Sequence, residues 1–409
     1  MEIIEWTPSS LELTEFQVSE LKRHGDLLNA RNSLDPDDVR DLDNQSAFSI
    51  QKNTDNSYRV TAENCIGAVD LDGQLLLIQP KIEFKHFARI MRHAMNLPDS
   101  DEDEVGLESF ESFELLVVTW FVKEVSRLVP THLVRNYYPV QEQVSFIKGH
   151  VQVLRTTRNF LGGNLRVESE FDEFGMNHSL NRVLKSALLV AADLPDLNRD
   201  LRWDVERCLR YLANVDRASR HDLRVQLDRR TSTNFRSSLD LAKTIIGHQG
   251  RGLISGDGVG RSFLLQTPLL VEEGIRNLLK KSFREHKVDN QIRATKSVGN
   301  AHPDLVFDDG AIVGDVKYKT VSSWADNRAD QYQSVFFATA FKTRVSLIAC
   351  FCKGLDIELP MAEVGDNRLY AAVWNASEGV SPVESERQFL DQVKICLSEL
   401  NHPTSSSAY

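Results

Sequence analysis

Two aspartates and a lysine are spaced so that a short hairpin would gather them. Residues 302–319 read His-Pro-Asp-Leu-Val-Phe-Asp-Asp-Gly-Ala-Ile-Val-Gly-Asp-Val-Lys-Tyr-Lys. The apolar runs Leu305–Phe307 and Ala311–Val313 flank Asp309-Gly310, a dipeptide suited to a type I′ turn, and together they predict a β-hairpin. With those two residues as the loop, position 308 pairs with 311 and the ladder runs down to 304 opposite 315. Asp304 and Asp315 then face each other, and strand alternation adds Lys317 to the same side. A three-residue loop would shift this register. Facing carboxylates repel unless something positive lies between them. A divalent ion such as Mg2+, which takes hard oxygen ligands and keeps several waters, meets that need. Such a site polarises a phosphodiester and makes hydroxide from bound water at neutral pH. A neighbouring ammonium orients that water or stabilises the charge that builds on phosphorus. A surface hairpin with solvated charges is the competing reading.

The elements that must hold these groups follow from periodicity. A helix is predicted from Pro268 to Phe283, a strand from Gln291 to Thr295, then the hairpin. A helix with Tyr332, Phe336 and Ala340 as its apolar face comes next, then buried-type strands at Val345–Phe351 and Tyr370–Trp374, and a closing helix from Glu384 to Leu400. Helices over a mixed central sheet give an α/β (α+β) core. This order, with Pro303-Asp304 and Asp315-Val316-Lys317, resembles the PD-(D/E)xK nucleases. The resemblance implies that Asp304 and Asp315 ligate the metal, helped by the Val316 carbonyl, and that Lys317 acts on the attacking water or on the charge. It also implies an acidic residue on the helix before the sheet. Glu272 fits the inward face there, whereas Glu273 points about 100° away. Gln333, after the motif, orients the water or the scissile phosphate.

At 409 residues the chain is long for one domain. An acidic stretch at 97–104 and a glycine-rich run at 249–260 divide it into 1–105, β-rich, 106–248, mostly helical, and 249–409, the nuclease domain. The glycine-rich run lacks the first glycine and the lysine of a phosphate-binding loop and reads as a connector. Before it, a hairpin is predicted at Ile66–Ile78 around Asp72-Gly73, and helices at Phe84–Met95, Phe113–Leu128 (ended by Pro130), Asn177–Ala192, Leu201–Leu212 and Ser238–Ile246. Tyr137–Leu154 alternates like strands, and the stretch from Leu34 to Ser57 reads as loop. The net charge of −11 argues against a uniformly basic nucleic-acid surface and leaves local patches open. Five scattered cysteines without zinc spacing suit a reducing cytoplasm. The first residues lack a signal-peptide pattern, and no apolar run reaches membrane length.

Three stretches together resemble the McrC family, the nuclease subunits of McrBC-type, modification-dependent restriction systems. They are Ile66–Ile82, ending Gln-Pro80-Lys81-Ile82, then Phe171–Lys185, and Ser262–Glu273, which leads into the nuclease motif and Asp330-Gln-Tyr-Gln333. The usual Phe before the helix glutamate is Val271 here. The resemblance implies a partner, an McrB-like AAA+ GTPase hexamer that recognises modified (5-methylcytosine-type) double-stranded DNA. An N-terminal part, placed within residues 1–245, would enter the ring pore and stimulate GTP hydrolysis, and the C-terminal part would cut both strands. Two other readings stand beside it. One is a self-sufficient Mg-dependent nuclease of repair or defence type, and the other a non-catalytic activator of a ring NTPase.

Overall fold

A computed structural model describes residues 1–32, 47–95, 113–194, 197–225, 232–248, 263–291, 293–295, 299–323, 328–354 and 361–400. The acidic stretch, the glycine-rich run and the C-terminal tail fall outside the described residues. The chain clusters into two units. One joins Met1–Phe113 to Gly250–Tyr409, and the other is Glu114–Gln249.

The first unit begins with β1 (Glu2–Ile4), β2 (Ser9–Leu11), α1 (Glu15–Asn32), β3 (Phe48–Lys52), β4 (Tyr58–Ala62), β5 (Cys65–Leu71), β6 (Gln74–Gln79) and α2 (Phe84–Ala94). The loop expected up to Ser57 is therefore partly strand. β3 pairs antiparallel with β4 from Phe48↔Ala62 to Lys52↔Tyr58, because Phe48, Val60 and Ala62 have a core to enter. The β5–β6 hairpin turns at Asp72-Gly73, both at positive φ (59° and 81°), as a type I′ turn requires.

The second unit comprises α3 (Phe113–His132), β7 (Asn136–Val144), β8 (His150–Val151), α4 (Val153–Leu161), β9 (Val167–Gly175), α5 (Ser179–Ala192), α6 (Arg199–Tyr211) and α7 (Ser232–His248). Two expectations are corrected here. Pro130 does not end α3. It sits in the last turn, and the helix runs on only as far as His132. Val153 and Leu154 open a helix rather than extend a strand; both are exposed, so no sheet face demanded them. The long β7–β9 ladder and short β8 form one three-stranded sheet. α5 packs against α6 and α7 through Leu180, Val183, Leu184 and Leu188.

The chain re-enters the first unit with β10 (Phe263–Gln266), which pairs with β5 and closes the sheet β1-β6-β5-β10. α8 (Thr267–Ser282) follows without a gap. Next come β11 (Val288–Asp289), β12 (Arg293–Thr295), β13 (Gly299–Ala301), β14 (Leu305–Phe307), β15 (Ile312–Thr320), α9 (Arg328–Phe341), β16 (Val345–Cys352), β17 (Ala362–Val364), β18 (Asn367–Asn375) and α10 (Pro382–Ser398). The central sheet has the order β11-β14-β15-β16-β18-β17, parallel across β15, β16 and β18 and antiparallel at both margins. β16 is buried along nearly its whole length, as a strand covered on both faces must be. α8 meets α2 at backbone distance. A Cβ on Gly274 would lie 2.5 Å from the Ile90 carbonyl oxygen, so only glycine fits there. Glu386 of α10 is clamped by Arg89 (2.6 Å) and His93 (2.9 Å) of α2. Burial alone would raise this carboxyl, but the two partners outweigh it and hold it down at about 2.

Candidate active site

The hairpin register expected from sequence is the register observed. Leu305 pairs with Gly314, Val306 with Val313 and Phe307 with Ile312, which leaves Asp304 opposite Asp315. The connection differs in detail, since residues 308–311 form a four-residue loop with Asp308, Asp309 and Gly310 at positive φ. The Asp308 side chain holds that conformation by accepting from the Lys287 backbone N–H at 2.8 Å and meeting His286 Nδ1 at 2.6 Å.

Both aspartates are buried, Asp304 at 8% and Asp315 at 3% exposure. Their carboxyl groups touch, and Asp304 Oδ2 also accepts the Val316 backbone N–H at 2.9 Å. Burial is the main force pushing both toward the protonated form, and each has a carboxylate adding to it: Glu272 for Asp304 and Asp304 for Asp315. Lys317 Nζ lies 2.5 Å from Asp315 Oδ2 and donates to Gln333 Oε1 at 2.8 Å. Burial disfavours the ammonium more than any one neighbour favours it, but Asp315, Asp304 and Asp330 together outweigh that penalty and raise Lys317 above its ordinary value, so it is charged at neutral pH. The structure thus brings together Asp304, Asp315, Lys317 and Gln333, with half-buried Glu272 acting on Asp304 from α8.

Sequence reasoning misplaced one residue nearby. Tyr332 was expected on the apolar face of its helix, yet it is 71% exposed. α9 buries Asp330, Ser334, Phe337, Ala338 and Phe341, and two positions of rotation from Asp330 (about 200°) put Tyr332 on the opposite side.

Three supports were missed. Arg276, 5% exposed, donates from Nε to the Asp304 carbonyl at 2.9 Å and pairs through Nη1 with Glu273 at 2.5 Å. The Glu-x-x-Arg spacing on one helix was the available signal. Lys319, two residues beyond Lys317, is ion-paired with buried Asp330. Glu5, at the end of β1 and 1% exposed, accepts from the Thr267 hydroxyl at the start of α8 and faces the Tyr318 hydroxyl and Lys81. One buried carboxylate therefore touches the first turn of the helix carrying Glu272 and the strand carrying Asp315 and Lys317.

Burial lifts Glu5 from 4.5 to about 7, against the pull of Lys81 and of its hydrogen bonds. A carboxyl raised on folding contributes most below its unfolded value, and that contribution is lost as pH climbs through the folded one. The shift corresponds to about 3 kcal/mol at most. Glu5→Gln is expected to melt progressively higher relative to wild type as pH rises from 5 to 8, and calorimetric scans at both pH values would measure it. A melting difference that stays flat across that range would remove the ionisation from the account.

The donor set suits magnesium. It consists of hard oxygens, and its two buried carboxyls are destabilised as anions by each other. Among the described residues no group of three His, Cys, Asp or Glu side chains could hold an ion. Two facing carboxylates leave most of a coordination shell to water and phosphate, which suits Mg2+ better than a fully protein-caged metal.

Two buried carboxylates on a hairpin, a lysine on the same strand and helices over a mixed sheet make up the candidate site. Residues 60–347 match the family described as McrBC 5-methylcytosine restriction system component, and the chain belongs to that family. Among solved structures, it is similar to a chain of the Thermococcus gammatolerans assembly of McrB AAA+ hexamers with bound McrC. The TM-score there is 0.59 at 17% identity, over 97% of this chain and 99% of that one. A chain of the cryo-EM structure of the Thermococcus gammatolerans McrBC complex gives a TM-score of 0.42 at 16% identity, over 69% of this chain and 88% of that one. No curated protein matches the chain. Among the described residues no helix is long and apolar enough to cross a membrane.

Proposed function

We propose that this chain is the McrC-like, DNA-cleaving subunit of its restriction system, a Mg2+-dependent endonuclease acting with an McrB-like AAA+ GTPase hexamer on modified double-stranded DNA. The observation that carries the reading is the buried contact between Asp304 and Asp315 with Lys317 and Gln333 joined to it. Asp304, Asp315 and the Val316 carbonyl would hold the ion. When bound, Mg2+ supplies a Lewis acid for the phosphodiester and lowers the pKa of water. Lys317, charged and fixed between Asp315 and Gln333, orients the attacking water and meets the charge that grows on the phosphate. Gln333 fixes the Lys317 ammonium and offers its amide to the same water or phosphate. Arg276 holds the Asp304 backbone, and Glu272 adds an acidic group on the α8 side.

The ring partner is supported by the likeness to a chain from an assembly of McrB hexamers with bound McrC. A second support lies in the unit Glu114–Gln249. Leu154, Leu161, Leu165, Tyr137 and Phe146 are each at least two-thirds exposed, an apolar surface of the kind that protein partners cover.

The test is to combine the full chain with the ring NTPase, magnesium and GTP on methylated and plain DNA. Cleavage of methylated DNA only with all components, together with faster GTP turnover, is the expected result. Cleavage of plain DNA by the chain with magnesium alone would instead mark a self-sufficient nuclease. Faster GTP turnover without cleavage would mark a silent activator.

A further inference from the structure

A row of cations leads away from the catalytic lysine, and nothing in the cleavage chemistry uses its outer half. Lys317 and Lys319 lie two residues apart on β15, within a stretch whose register shifts against β16, and the charge of Asp330 reaches both. Asp330 is 7% exposed and ion-paired with Lys319. The Lys319 side chain keeps 41% of its surface in solvent. Lys81, from the segment after β6, stands over the ring of Tyr318 at 4.2 Å from the centroid, and within reach of Lys319's charge. The same ammonium lies 5.7 Å from the ring centroid of Trp6.

Trp6 closes the row and is itself unusual. It is 46% exposed and sits at φ +62°, a left-handed conformation that a bulky aromatic side chain rarely takes. Its backbone is pinned there, because Trp6 N–H donates to the Ala62 carbonyl at 2.8 Å and Thr7 N–H closes a turn onto Ile4 at 3.0 Å. The fold thus holds a large ring at the surface against a local cost, which is the pattern expected of a contact surface.

The carboxylates of the row lie beneath it. Glu5 (1% exposed) faces Lys81, whose ammonium is partly buried, and Asp330 pairs with Lys319, which keeps the larger solvent-facing surface. Cations gathered along one lane attract anions even in a chain of net charge −11. A DNA strand leaving the scissile position offers phosphates at regular intervals, and lysines spaced along its path hold it without reading sequence. An exposed aromatic ring at the end of a basic lane suits an unpaired base, since stacking tolerates every base.

The geometry points to a strand track on the N-terminal side of the active site, in which Lys319 and Lys81 hold successive phosphates of the DNA strand and Trp6 stacks on an unpaired base beyond them. This track rests on the nuclease reading above. It gives the N-terminal segment a role in holding substrate, in addition to any role toward the ring partner.

The test uses the full chain carrying Asp315→Asn, so that DNA stays intact, and fluorescence anisotropy with a short duplex bearing a single-stranded overhang, across a series of KCl concentrations. Lys319→Ala is expected to weaken binding about fivefold and to lower the slope of log affinity against log salt by about 1. Lys81→Met should act in the same way, and the two together should lower the slope by about 2. Trp6→Ala is expected to weaken overhang binding about tenfold, with Trp6→Phe restoring most of it. If Lys81→Met fails to fold because Glu5 loses its counter-charge, the two exposed positions carry the test by themselves. Wild-type affinity and salt slope in the Lys319→Ala/Trp6→Ala double variant would overturn the track. The parent chain, assayed for cleavage with its ring partner in parallel, keeps the two readings apart. Absent cleavage there counts against the nuclease assignment, and intact cleavage with unaltered binding counts against the track alone.

Discussion

Asp315→Asn is expected to lower DNA cleavage by about a thousandfold or more while the folded chain and its stimulation of GTP turnover persist. The argument starts from burial. Asp315 is 3% exposed and in contact with Asp304, so its carboxylate is tolerable only when a cation is beside it. The amide has nearly the same volume and removes the anion without opening a cavity. Relief of the repulsion from Asp304 makes the apo-protein at least as stable as wild type, so lost activity cannot be blamed on unfolding. The measurement is single-turnover cleavage alongside a melting scan and steady-state GTP turnover of the partner. A variant that cleaves near the wild-type rate would remove Asp315 from the metal site, and with it the reading of the hairpin as catalytic.

Lys317→Ala is expected to cost on the order of a hundredfold in cleavage rate while magnesium still binds. Lys317 is wedged between Asp315 at 2.5 Å and Gln333 at 2.8 Å, with its side chain 23% exposed. Its ammonium is therefore already in place before substrate arrives and does not have to be recruited from solvent. Without it, Asp315 loses its nearest counter-charge in the apo-protein, so metal affinity should hold or rise while catalysis falls. Calorimetric titration with magnesium, set beside single-turnover rates, separates these effects. Loss of metal binding, with activity regained at high magnesium, would make Lys317 a structural counter-ion. Gln333→Ala should show a smaller loss in the same direction, because it removes the group that steadies the ammonium and leaves the charge.

The hairpin was legible in the chain because its information is local. Apolar runs of matching length, a turn dipeptide between them and the two-residue period of strands place Asp304 opposite Asp315 and put Lys317 beside them. The loop turned out longer than two residues, yet the register survived because buried Leu305–Phe307 and Ile312–Val313 dictate it. The helices before and after were visible for a similar reason, since a 3.6-residue apolar period reports one buried face. That signal failed at Tyr332: an aromatic ring beside Phe336 looks like core in sequence, and only packing showed that the buried stripe runs through Asp330, Ser334 and Ala338.

What the tertiary structure alone decided are the contacts between distant segments. The sequence divides naturally near 105 and 248, but β10 crosses back to pair with β5, and α8 seats Gly274 on Ile90 of α2. The N-terminal strands and the central sheet thereby fall in one unit. Arg276 reaching the Asp304 carbonyl, Asp330 holding Lys319, and Glu5 touching both Thr267 and Tyr318 are of the same kind. Each is a polar side chain that appears in the sequence as an ordinary surface charge. Its partner is fixed by burial, because an ionisable group without water must find a counterpart wherever the fold brings one within reach, and nothing in its immediate neighbours says where that will be.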